Sequence, residues 1–123
     1  MSENYSDYTI SFNYEQRLAE YDIKGSIAHS RMLAKQNIIS DSDNEKIING
    51  LNIVLDEIKS EKIKWNKDLE DIHMNIEFRL TELIGDTGAK LHTARSRNDQ
   101  ISLDMRMYVK DLNNQAINLL IKL

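Results

Sequence analysis

A chain of 123 residues with no proline, no cysteine and only four glycines lacks the turn punctuation of a strand-rich fold, so it favours long helices in one ordinary domain or a piece of a larger one. Without cysteine there are no disulfides and no thiolate metal sites, which fits a reducing compartment. A net charge of −4 argues against general nucleic-acid binding, whose affinity rests on phosphate neutralisation. The 41% of hydrophobic residues suffices for a core, and the 29% of charged residues suits a soluble protein. No apolar run approaches a membrane span, and the polar start Met1-Ser2-Glu3-Asn4 is no signal peptide, so the expectation is a cytoplasmic protein with no membrane contact.

Four helical patterns follow in chain order. In the first, Leu18, Tyr21, Gly25, Ala28 and Met32 recur at three- and four-residue steps on one narrow face. Gly25 in mid-helix costs about 1 kcal/mol relative to alanine, which points to a close approach by another backbone or a ligand. The second pattern begins at Ser42, with Glu45 completing a capping box. Its positions Ile47, Ile48, Leu51, Val54, Leu55 and Ile58 form a core stripe without evident chemistry. The third places Leu69, Ile72, Ile76, Leu80 and Leu83 on one face, with Gly85 as its stop. The fourth runs from about Asn98 onward, where Ile101, Met105, Tyr108, Leu112, Ala116, Leu119 and Leu123 have the spacing of a bundle helix. That stripe has no partner of similar length in the chain, so it must pair with something else.

Between the third and fourth patterns lies Lys90-Leu91-His92-Thr93-Ala94-Arg95-Ser96-Arg97-Asn98-Asp99-Gln100. So dense a polar run cannot bury an apolar face, and Asp86, Thr87 and Gly88 before it are turn formers. It reads as a polar loop feeding a helix N-terminus, where free N–H groups and arginines hold a carboxylate or phosphate. A solvated basic loop is the plainer alternative, but the Ser, Thr, Asn and His donors favour a binding site. Asp99 and Gln100 are at least as well suited to capping the next helix. His29, His73 and His92 are not at metal-ligand spacing, so no metal is expected.

This run, with Glu70-Asp71-Ile72-His73-Met74 and Tyr21-Asp22-Ile23-Lys24-Gly25-Ser26-Ile27-Ala28-His29 upstream, resembles the argininosuccinate lyases of the fumarase/aspartase superfamily. The three blocks stand in the family's order and at about its spacing, and the similarity extends from Ser11 onward. It implies an all-α fold. Residues 1–94 would be the N-terminal helical domain of the fumarase/aspartase-like fold, and 95–123 the end of a substrate-binding loop and the start of the central bundle helix. The implied reaction, in arginine biosynthesis and without a cofactor, is β-elimination of argininosuccinate to arginine and fumarate. The implied assembly is a homotetramer, a homo-oligomer joined through the helical bundle, with active sites shared among subunits.

Proton removal beside a carboxylate builds negative charge that fixed donors stabilise, often the largest catalytic effect. By resemblance, Arg97 and Asn98 fall on substrate-binding positions. So does Ser11, seven residues before the leucine of Arg17-Leu18. Arg97 would offer a bidentate fork and Asn98 a neutral donor. Asp71, His73, Thr93 and Ser96 would support them. A lone helical histidine is more often a hydrogen-bonded structural residue, and for His73 the candidate partners are Asp71 and Glu77. His92 is a candidate anchor for the loop.

The family's base, in a Thr-His pair, and its acid, in a Gly-Ser-Ser-x-Met-Pro-x-Lys-x-Asn loop, have no counterpart in the sequence, so no catalytic residue is expected in this chain and the chain alone is expected to be inactive. The family's usual Leu-Trp-Gly-Gly-Arg-Phe start is also missing, and residues 1–9 replace it. The chain thus resembles an N-terminal piece. The alternatives are another superfamily lyase, of the adenylosuccinate lyase or fumarase type, and a non-enzymatic helical module whose open seam binds a partner helix.

Overall fold

The computed structural model describes residues 15–66 and 68–123. Ser11 therefore lies outside the described residues. Among those described are four α-helices and no strand: α1 (Ala19–Lys35), α2 (Asp41–Lys59), α3 (Ile72–Ile84) and α4 (Arg97–Ile121). A 3-10 turn over Gln16–Leu18 leads into α1, and a longer 3-10 segment, Gly85–His92, follows α3. The all-α expectation holds.

Local chemistry sets the helix ends. Ser40, in extended backbone, accepts a hydrogen bond from the Asp43 N–H at 3.0 Å and caps α2. The cap expected at Ser42 thus sits two residues too late, because Ser40 follows the left-handed turn at Asn37 (φ 57°) and Ser42 already lies within the first turn. Asp71 caps α3 by accepting from the Met74 N–H at 2.7 Å. Gly85 ends α3 at φ 67°, as its sequence position suggests.

α2 packs against α1 and α3, and α4 crosses α1. Ile23 and Leu33 of α1, Ile47, Leu51 and Val54 of α2, and Ile72, Ile76 and Leu80 of α3 are fully buried. Leu91 joins them at 1% exposure, so the polar run does seal one corner of the core, contrary to expectation. The face expected on α1 is also displaced. Ala28 and Met32 are exposed, while Ala19, Asp22, Ile23, Ser26, Ser30 and Leu33 are buried. Three of these are polar, which hides the true stripe from a hydrophobicity pattern. Gly25 lies against α4, where an added Cβ would stand 3.2 Å from Leu103 Cδ2, so the close approach expected there is to a helix.

α4 inverts the usual arrangement. Its buried residues are Gln100 and Asp104, and its contact with α1 is completed by the Tyr21 hydroxyl, which donates to Asp111 at 2.9 Å, and by the Tyr21–Tyr108 edge-to-face pair at 5.9 Å. Of the predicted seam, Ile101 and Tyr108 are partly buried, while Met105, Leu112, Ala116, Leu119 and Leu123 are exposed, so it is largely open. No helix among the described residues is long and apolar enough to cross a membrane.

These burials predict a sharp contrast between two truncations. Ile76→Ala, in the sealed core, is expected to cost about 2–5 kcal/mol of stability in urea unfolding. Ile117→Ala, on the open side of α4, should change it by no more than about 0.5 kcal/mol.

Candidate functional site

The loop between the 3-10 segment and α4 is held mainly by polar contacts. His29 Nε2 lies 2.9 Å from the Thr93 carbonyl, so it is the protonated nitrogen. Lys90 donates to Asp43 at 2.7 Å. Ala94 then takes a left-handed conformation at φ 56°, which few non-glycine residues adopt. The turn sends the Arg95 side chain inward, where it is 6% exposed. Its Nη1 donates to Ser26 at 2.8 Å, and its Nη2 lies 3.8 Å from Asp22. Ser96 occupies the N-cap position of α4.

Beneath the loop three helices bring ionisable groups into the interior. Asp22 from α1, His73 from α3 and Asp104 from α4 are at most 1% exposed. His73 Nδ1 is 3.1 Å from Asp22 Oδ1 and 3.7 Å from Asp104 Oδ2. Burial alone would hold Asp22 neutral, but the hydrogen bonds from His73 and Gln100 with the Arg95 charge outweigh it and hold the carboxyl below its usual range. For His73, burial pulls its pKa down while the Asp22 carboxylate prevails and raises it. Asp104 is pushed up to about 7, by burial first and by the Asp22 charge second.

Gln100 connects this cluster to the surface. Its Nε2 donates to Asp22, and its Oε1 accepts from Arg97 Nη1 at 2.6 Å. Arg97 is also gripped by Glu77 through both terminal nitrogens, at 3.0 and 3.2 Å, and its Nε lies 3.6 Å from Asp71. The fork expected to meet substrate is thus engaged by Glu77. Asn98 and Asp99 lie exposed in the first turn of α4. A cleft of about 180 Å³ opens beside Asp99, lined by His29, Arg95, Ser96 and Gln100 among others, with Arg97 and Asn98 outside its lining. Larger hollows lie away from the cluster, one of about 330 Å³ near Arg79 and one of about 620 Å³ along the open side of α4. We place the candidate site at the small cleft because the convergent polar groups are there.

The structure therefore brings Asp71, His73, Thr93, Ser96, Arg97 and Asn98 into one region. Asp71 caps α3 and faces Arg97 at once. The expected partners of His73 are corrected: it meets Asp22 and Asp104, because its ring faces the interior while Glu77 lies toward Arg97. His92 stands 3.5 Å from Glu77, and the histidine that grips the loop backbone is His29. Gln100, expected as a helix cap, is a buried bridge instead, while Ser96 takes the cap position. Sequence reasoning missed Asp22, Arg95, Asp104 and the role of Gln100. The available signal was a carboxylate in a helix's buried register, as with Asp104 between Ile101 and Tyr108.

Ligand atoms of Asp22, His73 and Asp104 lie within 4.8 Å of one another, close enough to share one small cation or one proton. A grouping of one histidine with two aspartates from three helices does not depend on the spacing of histidines along the chain. Arg95 already brings positive charge to Asp22, so a proton is the smaller requirement.

The chain belongs to the lyase family, whose model matches residues 1–123. It is similar to the argininosuccinate lyase of Neisseria gonorrhoeae, with 51% identity over 111 residues that cover 90% of this chain and 24% of that protein. The argininosuccinate lyase of Herminiimonas arsenicoxydans is 52% identical over 113 residues, covering 92% and 24%. That of a Sulfurihydrogenibium species is 53% identical over 114 residues, covering 93% and 25%. The chain spans about a quarter of the length of these curated relatives.

The buried pair predicts a defined pH response. Because the folded Asp22 value is lowered, its contribution is present above the ordinary aspartate value of about 4 and is lost as pH falls through the folded value. The raised His73 value gives a contribution present below about 6.5 and lost as pH rises through the folded value. Asp22→Asn removes the nearer counter-charge of His73 and Arg95 and leaves only Asp104 to replace it, so it should cost stability, at most about 3–5 kcal/mol near about pH 6, and flatten the acid limb. Urea unfolding across pH checks this; an unaltered acid limb would assign the response to other groups.

Proposed function

We propose that this chain is the carboxylate-binding part of an argininosuccinate lyase, acting in arginine biosynthesis in the cytoplasm. The observation that carries the proposal is the identity of about one half to three such enzymes over some nine-tenths of the chain. The names of these relatives favour this branch over an adenylosuccinate lyase or a fumarase. The loop geometry adds chemical support. Residues 93–98 stand at the head of α4, where free N–H groups favour an anion.

In this reading Asn98 and Ser96, beside those N–H groups, contact a carboxylate of argininosuccinate and stabilise the charge that grows there as a proton leaves carbon. Ser11 supplies a further contact. Arg97, oriented by Glu77, Asp71 and Gln100, gives positive charge at fixed distance more than a free fork. His73 supports the loop from below through Asp22 and Gln100, and Thr93 ties it to His29 through its carbonyl. The acid and base come from elsewhere in the complete enzyme, and the products are arginine and fumarate. Nothing in this role calls for a cofactor. The open apolar side of α4, with Met105, Val109 and Leu112 half exposed, supports a homo-oligomer joined through the helical bundle.

Replacing the matching quarter of the Neisseria gonorrhoeae enzyme with this chain should yield a protein that releases fumarate from argininosuccinate, read by absorbance. Asn98→Ala in that protein should lower kcat/KM about ten- to a hundredfold, the value of a hydrogen bond to a charged group, with little change in Tm. A soluble, assembled chimera without turnover would sink the assignment, and unchanged kinetics in the variant would remove the loop from the site. These 123 residues alone should give no fumarate, since acid and base each contribute about 10²–10⁴-fold.

A second outcome concerns assembly. Sedimentation of the chain should show a dimer or larger species. A strict monomer at high concentration, with the second half of α4 protected from hydrogen exchange, would show that the chain closes its own core.

A further inference from the structure

Asp104 is the member of the buried cluster whose presence the contacts above leave unexplained. Its side chain is fully buried, and neither carboxylate oxygen has a hydrogen-bond donor. Asp22 Oδ2 is likewise without a partner, while Asp22 Oδ1 faces both Gln100 and His73. The cations nearby are directed first at other groups, although His73 and Arg95 also act on Asp104 from a distance. His73 Nδ1 is closer to Asp22 than to Asp104, at 3.1 against 3.7 Å. Arg95 is directed at Ser26 and Asp22, and Arg97 at Glu77, Asp71 and Gln100. Two ionised carboxylates side by side, with three oxygens lacking a donor, cannot persist in a site closed to water. One proton resolves the conflict, because a protonated aspartate gains an O–H donor and its neighbour then accepts.

We propose that Asp104 carries a proton that it donates in a hydrogen bond to Asp22, and that Asp104, Asp22 and His73 form a proton-sharing triad that positions Gln100, and through it Arg97, at the head of α4. Burial followed by the Asp22 charge pushes Asp104 up to about 7, in keeping with this geometry. Below that pH the triad holds one O–H donor, one carboxylate and the His73 ring, whose charged form Asp22 favours. Above it, two anions face each other across Gln100 and His73. Gln100 is anchored to Asp22 and to Arg97, so a change in the triad's charge reaches the loop by a single side chain. The sign follows from linkage. A folded value raised above about 4 means that the stabilisation is complete below the ordinary aspartate value and disappears as pH rises through about 7. The presence of the proton is independent of the lyase reading; only its consequence for substrate binding rests on that reading.

Carbon-13 NMR of aspartate carboxyls in this chain tests the proposal directly. Asp104 should titrate near 7, and the Gln100 side-chain amide and Arg97 Nε–H should shift with the same midpoint. Tm should fall between about pH 5.5 and about pH 8.5. Asp104→Asn, whose amide donates to Asp22 at either pH, should narrow that fall and give a higher Tm than the native chain at the upper pH. A carboxyl that titrates in the ordinary range near about 4, or a variant less stable than the native chain at the upper pH, overturns the proton. Titration near 7 with Gln100 and Arg97 unmoved overturns the positioning role. If the variant does not fold, the native chain's spectra decide alone. None of these readings involves substrate, so an inactive chimera leaves them untouched.

Discussion

The contact between Asp22 and His73, closed over by Arg95 and Gln100, joins every element that carries the candidate site. α1 brings Asp22 and Ser26, α3 brings His73, α4 brings Gln100 and Asp104, and the loop brings Arg95. Breaking a buried pair by removing one partner costs about 3–5 kcal/mol, against a total of about 5–15 kcal/mol for a typical domain. Such a cluster is costly to desolvate, and apolar packing of equal volume is often no less stable. What it adds here is register. A leucine seam tolerates small slips of one helix along another, whereas His73 can meet Asp22 and Asp104 together only when α1, α3 and α4 are all correctly set.

The rest of the core does ordinary work around this point. Ile23, Leu33, Ile47, Leu51, Val54, Ile72, Ile76 and Leu80 fix α1, α2 and α3 relative to one another by burial alone. Leu91 is the single apolar plug in the run that follows. Past it the chain has no apolar anchor until Ile101, so the loop depends on His29 at the Thr93 carbonyl and on Arg95 turned inward. The left-handed Ala94 between them stores a small strain that these two contacts hold in place. A loop fixed this way holds Ser96 and Asn98 in place at the head of α4.

α4 divides its two sides between the two tasks. The inner side near its start is polar and meets the cluster, while Tyr108 and Asp111 continue the contact with α1 through Tyr21. The outer side carries the apolar stripe, and beyond Asp111 every residue is exposed. One helix thereby links the site to a surface suited to association, and the close passage of Leu103 by Gly25 sets how near it lies to α1.

Much of this was legible in the residues themselves. Helical class, the stripes of α2 and α3, the Gly85 stop and the bundle spacing of α4 follow from the 3.6-residue period and from backbone preferences, which are local. The family blocks in residues 70–74 and 90–100 are also brought together in space, Asp71 facing Arg97 and His73 lying beside Gln100. Other features depended on groups distant in sequence. Asp22 looks like a solvated residue within its own helix, and neither the register of Asp104 nor the pattern around His73 names a partner, because burial is a property of the neighbours that cover a residue. The polar stripe of α1 was misplaced for the same reason, since Ser26 and Ser30 become interior only once Arg95 and Asn44 supply their hydrogen bonds. Residue order and backbone preference were enough to give the helices and the family. Only the tertiary structure decided which charges meet, because a carboxylate enters the interior only where another element delivers its proton or counter-charge.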